Sequence, residues 1–413
     1  MTRLVPGTFL FLQGPPGPFF AELAAGLEKE GHRCRRVNFC GGDAFDWPGP
    51  AHGFAGRFDE WPKFLSAFIQ AEAVTDIVLF GDCRPFHEAA RHVANALGIT
   101  LHVFEEGYIR PDWVTLERGG VNGNSSLPRD PQLYLALAAN LPPVPNYPPI
   151  PASFRQRALG AFAYFAASTI LASRFPHYRS HRPYRATAEL AGWAVRFCGR
   201  PVARLRSAIT ARQLCGRFFV LPLQLDSDHQ IRIHSPFAGM TEAIERIIAS
   251  FAAHAPTDVA LVVKEHPLDN GLTGWRRVVG DIARRHGVED RIAFLEHGRT
   301  DALVAAAVGV VTVNSTTGTL ALSAGTPVAV LGDAVYDLPG VTHQGELESF
   351  WGAPGKPQLE IYDAFRRVLV MRCLLRGGFS NQIARRHLLP SAVARLGQSV
   401  AAKATVHTFR VLA

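Results

Sequence analysis

The order of apolar runs along the chain constrains the fold more than any other feature of the sequence. In the first 110 residues, a short apolar run is repeatedly followed by a polar or glycine-containing turn and then by apolar residues at helical spacing. The predicted strands are 8–12, 34–39, 77–80 and 101–104, and helical patterns cover 19–30 and about 86–97. Alternating strands and helices form parallel sheets through right-handed crossovers, so we expect a parallel sheet with helices on its faces.

A second block with the same alternation begins at residue 218. Its predicted strands are 218–224, 259–264, 291–295, 308–313 and 327–331, and its helical patterns cover 238–253, 275–286, 303–307 and the segment from 319 onwards. Two Rossmann-like blocks of this kind are typical of GT-B glycosyltransferases, whose ligands bind at the carboxyl ends of the strands. The sequence therefore predicts an α/β, GT-B-like fold with two Rossmann-like domains facing a central cleft.

The composition of the 413-residue chain suits two folded cores, because 47% of its residues are hydrophobic and only 19% are charged. We interpret the first residues, MTRLVPGTFLFLQGPPG, as a first strand and not as a secretory leader, since the apolar run breaks into glycine and proline. The longest nearly apolar stretch, 158–172, is shorter than the roughly 18–20 residues that cross a bilayer. The six cysteines show no zinc-ligand spacing.

Positive charge is concentrated between the two blocks. The stretch 151–217 contains twelve arginines, no lysine and a single acid, which gives it a net charge of +11 in a chain whose total is +8. The apolar residues of this stretch recur at helical intervals, which predicts two or three amphipathic helices. A basic segment of this kind indicates a polyanionic partner such as an anionic lipid surface, a nucleic acid or an acidic substrate. No nucleic-acid-binding motif is present, so we expect no nucleic-acid partner.

Polar clusters follow four of the predicted strands. The first cluster is FEEGYIR at 104–110, where Glu105 and Glu106 offer a general base for an acceptor hydroxyl. The alternative is a surface turn in which Glu106 caps the next element. The second cluster is QLDSDHQI at 224–231; its Asp226 and Asp228 spell the metal-binding DxD pattern, but a three-residue match is weak evidence. One of these aspartates is a candidate nucleophile, and an Asx turn is the alternative.

The third and fourth clusters contain donors suited to a phosphate. Lys264 and His266, in the sequence KEHP, lie two residues apart at a strand end, where their side chains point to the same side. In VNSTTGTL at 313–320, small hydroxyl residues lead into a helix, and we expect the first N–H groups of that helix to be free to bind an anion. The alternative for the fourth cluster is an ordinary Ser/Thr helix cap.

Taken in order, these clusters resemble the bacterial capsule polysaccharide biosynthesis proteins of the KpsS/LipB type, which are related to the KpsC type. The resemblance rests on FLQGPPGPFF, FGDCRPFHEAA, FEEGYIRPDWVTLE, FVLPLQLDSDHQI, KEHP and VNSTTGTLALSAGTPVAVLGDAVYDLPGVTHQG. It implies a retaining β-Kdo transferase that uses CMP-Kdo. It also implies a phosphatidylglycerol-type lipid acceptor, on which the first Kdo starts the capsular polysaccharide linker. Since CMP-Kdo carries one phosphate, which Lys264, His266 and a helix N-terminus can hold without a divalent ion, we expect no metal ion or other cofactor.

The resemblance also implies roles for individual residues. The family's Gln-x-x-x-Asp pattern selects Gln224 and, as nucleophile, Asp228. The EEGY segment matches an acidic EDGF-like segment, although Glu106 stands where that segment has Asp, and Pro111 stands where the KpsC type usually has Ser. The expected donor site comprises Lys264, His266, Pro267, Asn314, Ser315, Thr316, Thr317 and Arg110. Gly14, Arg84 and Glu105 are candidates for the acceptor side of the cleft. Arg110 and Arg84 are the candidates for binding the sugar carboxylate.

We expect four consecutive segments with different roles: 1–150, a Rossmann-like acceptor-side domain; 151–217, a basic helical segment close to the membrane; 218–358, a Rossmann-like domain that binds the CMP-sugar; and 359–413, helices that pack back across the domains.

The expected location is cytoplasmic and peripheral to the inner membrane. Expected partners are the donor, the lipid acceptor, the anionic membrane surface, a KpsC-type transferase and the capsule export machinery. Two alternatives stay open: a transferase for another nucleotide sugar such as sialic acid or heptose, and a non-catalytic capsule export adaptor.

Overall fold

The computed structural model describes residues 6–151, 154–180, 184, 186–214, 216–225 and 229–411. Within these residues the strands are β1 Thr8–Phe11, β2 Arg33–Asn38, β3 His52–Gly53, β4 Asp76–Phe80, β5 Thr100–Glu106, β6 Trp113–Arg118, β7 Arg217–Pro222, β8 Val259–Lys264, β9 Ile292–Leu295, β10 Gly309–Thr312, β11 Val328–Val330 and β12 Leu374–Arg376. Most strands predicted from apolar runs agree with these bounds within one or two residues.

The α-helices alternate with the strands for most of the chain. They are α1 Phe19–Lys29, α2 Gly41–Asp46, α3 Trp61–Ala71, α4 Pro85–Leu97, α5 Pro131–Ala138, α6 Phe154–Ile170, α7 Ala186–Gln213, α8 His229–Ile233, α9 Met240–His254, α10 Trp275–Arg285, α11 Thr300–Ala306, α12 Thr317–Ser323, α13 Leu347–Gly352, α14 Leu359–Arg372 and α15 Gln382–Val411. The basic stretch 151–217 contains α6 and α7, which agrees with the two or three helices predicted there.

The chain divides into two compact units, each built from more than one stretch of sequence. Unit 1 comprises Met1–Ser126, Pro145–His181 and Val370–Ala413, and unit 2 comprises Leu127–Val144 and Arg182–Leu369. The units are thus interleaved along the chain, whereas the four segments predicted from the sequence are consecutive. The roles given to those four segments stay predictions.

Unit 1 contains a seven-stranded sheet in the order β12-β6-β5-β4-β1-β2-β3. The strands from β5 to β3 pair in parallel, as the sequence predicts. β6 and β12 add an antiparallel edge that the apolar runs of the sequence did not predict. The core of this unit joins residues from the sheet, α1 and α15, and it includes Phe9, Phe11, Phe19, Phe104, Leu388 and Leu396.

Unit 2 contains a five-stranded sheet in the order β11-β10-β7-β8-β9, and all four pairings are parallel. Its core packs α9, α10 and α13 against the sheet, with Phe219, Ile244, Phe251, Trp275, Phe350 and Trp351 fully or almost fully buried. Each unit is therefore a Rossmann-like α/β layer structure, which confirms the predicted fold class.

Helix α6 lies against the short helix α2 at two consecutive glycines of unit 1. A Cβ atom on Gly41 would lie 2.6 Å from the Cβ of Leu171, and one on Gly42 would lie 2.6 Å from Ser168 Oγ. Real Cβ atoms do not approach other heavy atoms this closely, so glycine at these positions allows the contact. The contact fixes part of the arginine-rich segment against the sheet of unit 1.

We predict that Gly41→Ala lowers the free energy of unfolding by about 1–3 kcal/mol, because α6 must move to accept the methyl group. Gly160→Ala, on α6, is the matched control, since its added Cβ meets no heavy atom within 4 Å. That control should raise stability by roughly 0.5–1 kcal/mol through the better helix propensity of alanine. Urea denaturation of both variants measures the difference. An equal effect of the two substitutions would contradict the close packing of α2 on α6.

Candidate functional site

The predicted donor-site residues of unit 2 follow three neighbouring parallel strands. Gln224 follows β7, Lys264–Pro267 lies at the end of β8, and Asn314–Thr317 follows β10. The sheet order places β7 between β10 and β8. Because the carboxyl ends of parallel strands meet at one edge of a sheet, all three groups lie on the same edge of unit 2.

Gln224 and Asn314 form a reciprocal pair of hydrogen bonds. Gln224 Nε2 donates to Asn314 Oδ1 over 2.8 Å, and the backbone N–H of Asn314 donates to Gln224 Oε1 over 3.1 Å. Asn314 Nδ2 also donates to the carbonyl oxygen of His234 over 3.3 Å. The pair joins the loops after β7 and β10, and Gln224 is only 5% exposed. Asp226 and Asp228, which follow Gln224 in the sequence, lie outside the described residues.

The turn before α12 uses its own oxygen atoms to satisfy the first N–H groups of that helix. The N–H of Thr317 donates to Ser315 Oγ over 3.1 Å, and the N–H of Gly318 donates to the carbonyl oxygen of Ser315 over 3.0 Å. The N–H of Thr319 donates to the carbonyl oxygen of Thr316 over 3.2 Å. The expectation that these three N–H groups are free is therefore wrong. What the turn offers a phosphate is a cluster of hydroxyl groups.

Lys264 is buried at the end of β8, with 3% of its surface exposed. Its ammonium group donates to the carbonyl oxygens of Glu265 and Glu296 over 2.8 and 3.2 Å. Burial lowers the pKa of Lys264, and the nearby carboxylate of Glu265 opposes that effect. At most one of the three N–H groups of this side chain is therefore available for a ligand.

His266 is held by the turn that follows β8. Its Nδ1 accepts a hydrogen bond from the N–H of Leu268 over 3.1 Å. A neutral imidazole that accepts at Nδ1 carries its proton on Nε2, so Nε2 is the atom that can donate to an anion. Pro267 is the residue between them, and its ring fixes the backbone angle φ inside this turn.

Two arginines of α7 pair with acids at the same edge of unit 2. Arg196 lies 2.9 Å from a carboxylate oxygen of Glu265, and Arg206 lies 2.6 Å from Glu296. Arg276 also donates to Glu296, over 2.8 Å. Part of the arginine-rich segment is therefore held by ion pairs with unit 2. The local sequence indicates neither the Arg196–Glu265 pair nor the Arg206–Glu296 pair, because the partners are 69 and 90 residues apart.

The predicted acceptor-side residues of unit 1 also follow neighbouring parallel strands. Gly14 follows β1, Arg84 follows β4, and Glu105 and Glu106 are the last residues of β5. Arg84 donates to Gln13 Oε1 over 3.0 Å. Arg84 and Glu105 both approach Gly81, which has a φ of +69°.

The carboxylate of Glu106 lies between two guanidinium groups. Arg110 is 3.4 Å from one oxygen and Arg157 is 3.1 Å from the other, and the Glu106 side chain is 30% exposed. The sequence predicted neither of these ion pairs, and Arg157 comes from α6, 51 residues further along the chain. Arg110, expected at the sugar carboxylate, is thus paired with a carboxylate of the protein itself.

A buried polar cluster lies beside Gly14 in unit 1. Gln13 Nε2 donates to the hydroxyl groups of Tyr164 and Tyr178 over 2.8 and 3.1 Å. Tyr164 donates to Asp43 over 3.0 Å, and Arg36 forms an ion pair with Asp43 at 3.3 Å. A small cavity next to this cluster is lined by Gly14, Pro15, Gly17, Phe20, Arg36, Asp43, Asp46, Trp47 and Tyr164.

Asp46 lines this cavity and is partly buried. Burial raises its pKa from 3.8 to about 6, although a hydrogen bond from the N–H of Gly17, 2.7 Å long, opposes the shift. Because the pKa is higher in the folded protein than in the unfolded chain, ionising Asp46 costs folding free energy as the pH rises through 6.

We predict that Asp46→Asn raises the free energy of unfolding above pH 6 by about 1–3 kcal/mol and leaves it nearly unchanged near pH 3, where the carboxyl group is mostly protonated in both states. Urea denaturation between pH 3 and 8 gives the curve. The exposed Asp59 of the same unit provides the control, and Asp59→Asn should leave the pH dependence nearly unchanged. A parallel pair of curves for Asp46→Asn and the parent would show that Asp46 titrates normally.

Comparisons with known proteins give consistent matches. The family model described as capsule polysaccharide biosynthesis protein matches residues 75–380. The capsule polysaccharide export protein KpsS of Escherichia coli is 34% identical over 378 residues, which cover 90% of this chain and 97% of KpsS. The capsule polysaccharide modification protein LipB of Neisseria meningitidis serogroup A is 33% identical over 384 residues, which cover 91% of this chain and 92% of LipB.

Matches among solved structures include the β-Kdo 2,7 transferase KpsC of Thermosulfurimonas dismutans; the match covers 94% of this chain and 99% of that chain, with a TM-score of 0.46 and 12% identity. HepE of Anabaena, solved with UDP-glucose, covers 97% of this chain and 99% of its own, with a TM-score of 0.33 and 12% identity. The family model and the two sequence relatives extend over most of the chain, and the chain belongs to the capsule polysaccharide biosynthesis protein family.

Proposed function

We propose that the protein is a retaining β-Kdo transferase that moves Kdo from CMP-Kdo to a phosphatidylglycerol-type lipid and so starts the capsular polysaccharide linker. The observation that carries this proposal is the alignment of Gln224, Lys264–Pro267 and Asn314–Thr317 on one strand edge of unit 2. The family resemblance in these same segments supports the choice of donor.

The donor contains a single phosphate, which suits the groups on this edge. His266 Nε2, the remaining N–H of Lys264 and the hydroxyl groups of Thr316 and Thr317 donate to the phosphate oxygens. The hydroxyl group of Ser315 donates to Thr317 Oγ1 over 3.2 Å and so holds the Thr317 hydroxyl in place. These donors replace a divalent cation, so the reaction requires no metal ion. Asn314 holds Gln224, four residues before the proposed nucleophile, through two reciprocal hydrogen bonds.

The reaction proceeds by two displacements. The carboxylate of Asp228 attacks the anomeric carbon of Kdo, the bond from that carbon to the phosphate oxygen breaks, and CMP leaves with the electron pair. The acceptor hydroxyl then attacks the same carbon and releases Asp228, and Glu106 accepts the hydroxyl proton. Two inversions leave the configuration at the anomeric carbon unchanged. Gly14, Arg84 and Glu105 are the proposed acceptor-side residues, and Arg110 or Arg84 binds the sugar carboxylate.

The proposed site of action is the cytoplasmic face of the inner membrane, alongside a KpsC-type transferase and the capsule export machinery. Among the described residues, no helix has both the length and the hydrophobicity needed to span a membrane. The net charge of +11 in 151–217 supports attraction to anionic lipid.

The alternative functions differ in what they predict for the product. Mass spectrometry of a reaction with CMP-Kdo and lyso-phosphatidylglycerol should show an acceptor heavier by one Kdo residue. Product formed only from CMP-sialic acid or a nucleotide-activated heptose would change the donor. Binding of glycolipid with no product from any donor would favour the export adaptor.

We predict that Asp228→Ala lowers turnover by three or more orders of magnitude, because it removes the nucleophile, while binding of CMP persists. Asp226→Ala is the matched control two residues away and should retain turnover. Steady-state kinetics and calorimetry with CMP measure the two effects. An inactive Asp226→Ala protein beside an active Asp228→Ala protein would transfer the role to Asp226.

We predict that His266→Ala weakens binding of CMP by roughly 1–3 kcal/mol, because one hydrogen bond to the charged phosphate is lost. His254→Ala, which changes an exposed histidine of the same unit, should leave affinity unchanged. Isothermal titration calorimetry gives both values. Addition of EDTA should leave transferase activity intact, and a requirement for Mg²⁺ or Mn²⁺ would contradict metal-independent binding of the phosphate.

A further inference from the structure

Helix α7 carries an apolar stripe along one exposed side. The stripe consists of Val195, Cys198, Val202, Leu205 and Ile209, which alternate three and four residues apart. At 100° per residue these positions fall within an arc of about 80°. The exposed fractions of Val195, Val202, Leu205 and Ile209 are 74%, 59%, 64% and 46%.

The opposite side of α7 is the side that binds unit 2. A Cβ on Gly192 would lie 2.6 Å from the carbonyl oxygen of Asn270, so the helix backbone lies directly against the loop after β8. Arg196 pairs with Glu265, and Ser207 Oγ accepts the N–H groups of Glu296 and His297 over 3.1 and 3.0 Å. These contacts fix the rotation of α7 and direct its apolar stripe away from unit 2.

The charge of α7 distinguishes between two candidate partners for this apolar stripe, a second copy of the helix and a lipid surface. Five arginines and no acid follow Glu189 in the helix. If this helix paired with a second copy of itself along the stripe, the arginines of the two helices would lie close together and repel each other. Arg212 would also take the next position along the line of apolar contacts between the two helices. Gly199 and Pro201 also lie in the middle of the helix, where Pro201 favours a bend that a straight helix pair would not accept. Self-pairing is therefore unfavourable.

An anionic bilayer surface satisfies both features of the helix. Apolar side chains enter the boundary between headgroups and acyl chains, and arginines reach the lipid phosphates with their long side chains. Arg206 and Arg212 are exposed and lie about 20° beyond the two edges of the stripe, whereas Arg200 and Arg204 lie on the other side of the helix. We propose that α7 docks unit 2 on an anionic phospholipid surface by inserting the stripe Val195–Cys198–Val202–Leu205–Ile209. This proposal deepens the proposed function by naming the surface at which a lipid acceptor is met.

Cys198 provides a direct probe of this insertion. It is the exposed cysteine among the described residues, since Cys34, Cys40, Cys83 and Cys373 are buried. With Cys215→Ser in the background, an environment-sensitive fluorophore on Cys198 reports the polarity at the stripe. The full-length labelled protein is titrated with phosphatidylglycerol vesicles and, separately, with phosphatidylcholine vesicles. No donor or acceptor sugar is present, so the result is independent of transferase activity.

We expect a blue shift of the label with phosphatidylglycerol vesicles, little change with phosphatidylcholine, and reversal at about 1 M salt, where the Debye length is about 3 Å. Sedimentation of unlabelled protein with the same vesicles then tests the side chains. The double variant Val202→Asn with Leu205→Asn should weaken binding by at least about tenfold. Leu359→Asn, at a residue 56% exposed elsewhere in unit 2, should bind like the parent.

Charge variants complete the test. Arg212→Gln, next to the stripe, should weaken binding about fivefold, whereas Arg204→Gln, on the other side of α7, should have little effect. Arg277→Gln with Lys356→Gln, which removes two exposed charges elsewhere in unit 2, should have little effect. The proposal is overturned by equal binding to both lipids, by unweakened binding of the apolar variant, or by a label shift that needs only a higher protein concentration. The last result would identify a second copy as the occupant.

Discussion

Parallel strand pairing is the constraint on which the rest of each unit depends. A chain that pairs its strands in parallel must return across the sheet through a helix each time, so every strand ends at the same edge. In unit 2 this edge holds Gln224, Lys264 and Asn314, which are far apart in the sequence. The strands themselves are apolar and almost fully buried, and polar groups can appear only where they end. The fold thus concentrates hydrogen-bonding groups without any of them having to be close in sequence.

The need to pair buried carboxylates then determines which arginines of unit 2 form ion pairs inside the protein. Glu265 and Glu296 are buried, and an unpaired carboxylate in such a place would be costly. Arg196, Arg206 and Arg276 meet this need, and α7 is fixed to unit 2 as a result. Some arginines of the segment 151–217 therefore pair with buried carboxylates of the protein, and others remain exposed on the same helix. The amino-acid composition of the segment does not show which arginines belong to which group.

The sequence predicted regular elements well and polar contacts poorly. Strand β8 has the predicted bounds, because a run of β-branched residues between turns leaves little choice. The antiparallel strands β6 and β12 were missed, since β12 is only three residues long and precedes a helix. The clusters after β7, β8 and β10 were found because their strands were found. The bonds from Gln13 to Tyr164 and from Arg157 to Glu106 span 151 and 51 residues, and no periodic pattern connects such positions.

The discontinuity of unit 1 has a consequence for synthesis of the chain. Its sheet gains the edge strand β12, and its core gains Leu388 and Leu396 of α15, from the last stretch of sequence, 370–411. Until the ribosome has made that stretch, α1 lacks its packing partner, and the edge of β6 has no neighbouring strand. The segments of unit 2, by contrast, are complete at residue 369. The unit that begins first is therefore the one that finishes last, and the N-terminal strands must stay unaggregated while most of the protein is made.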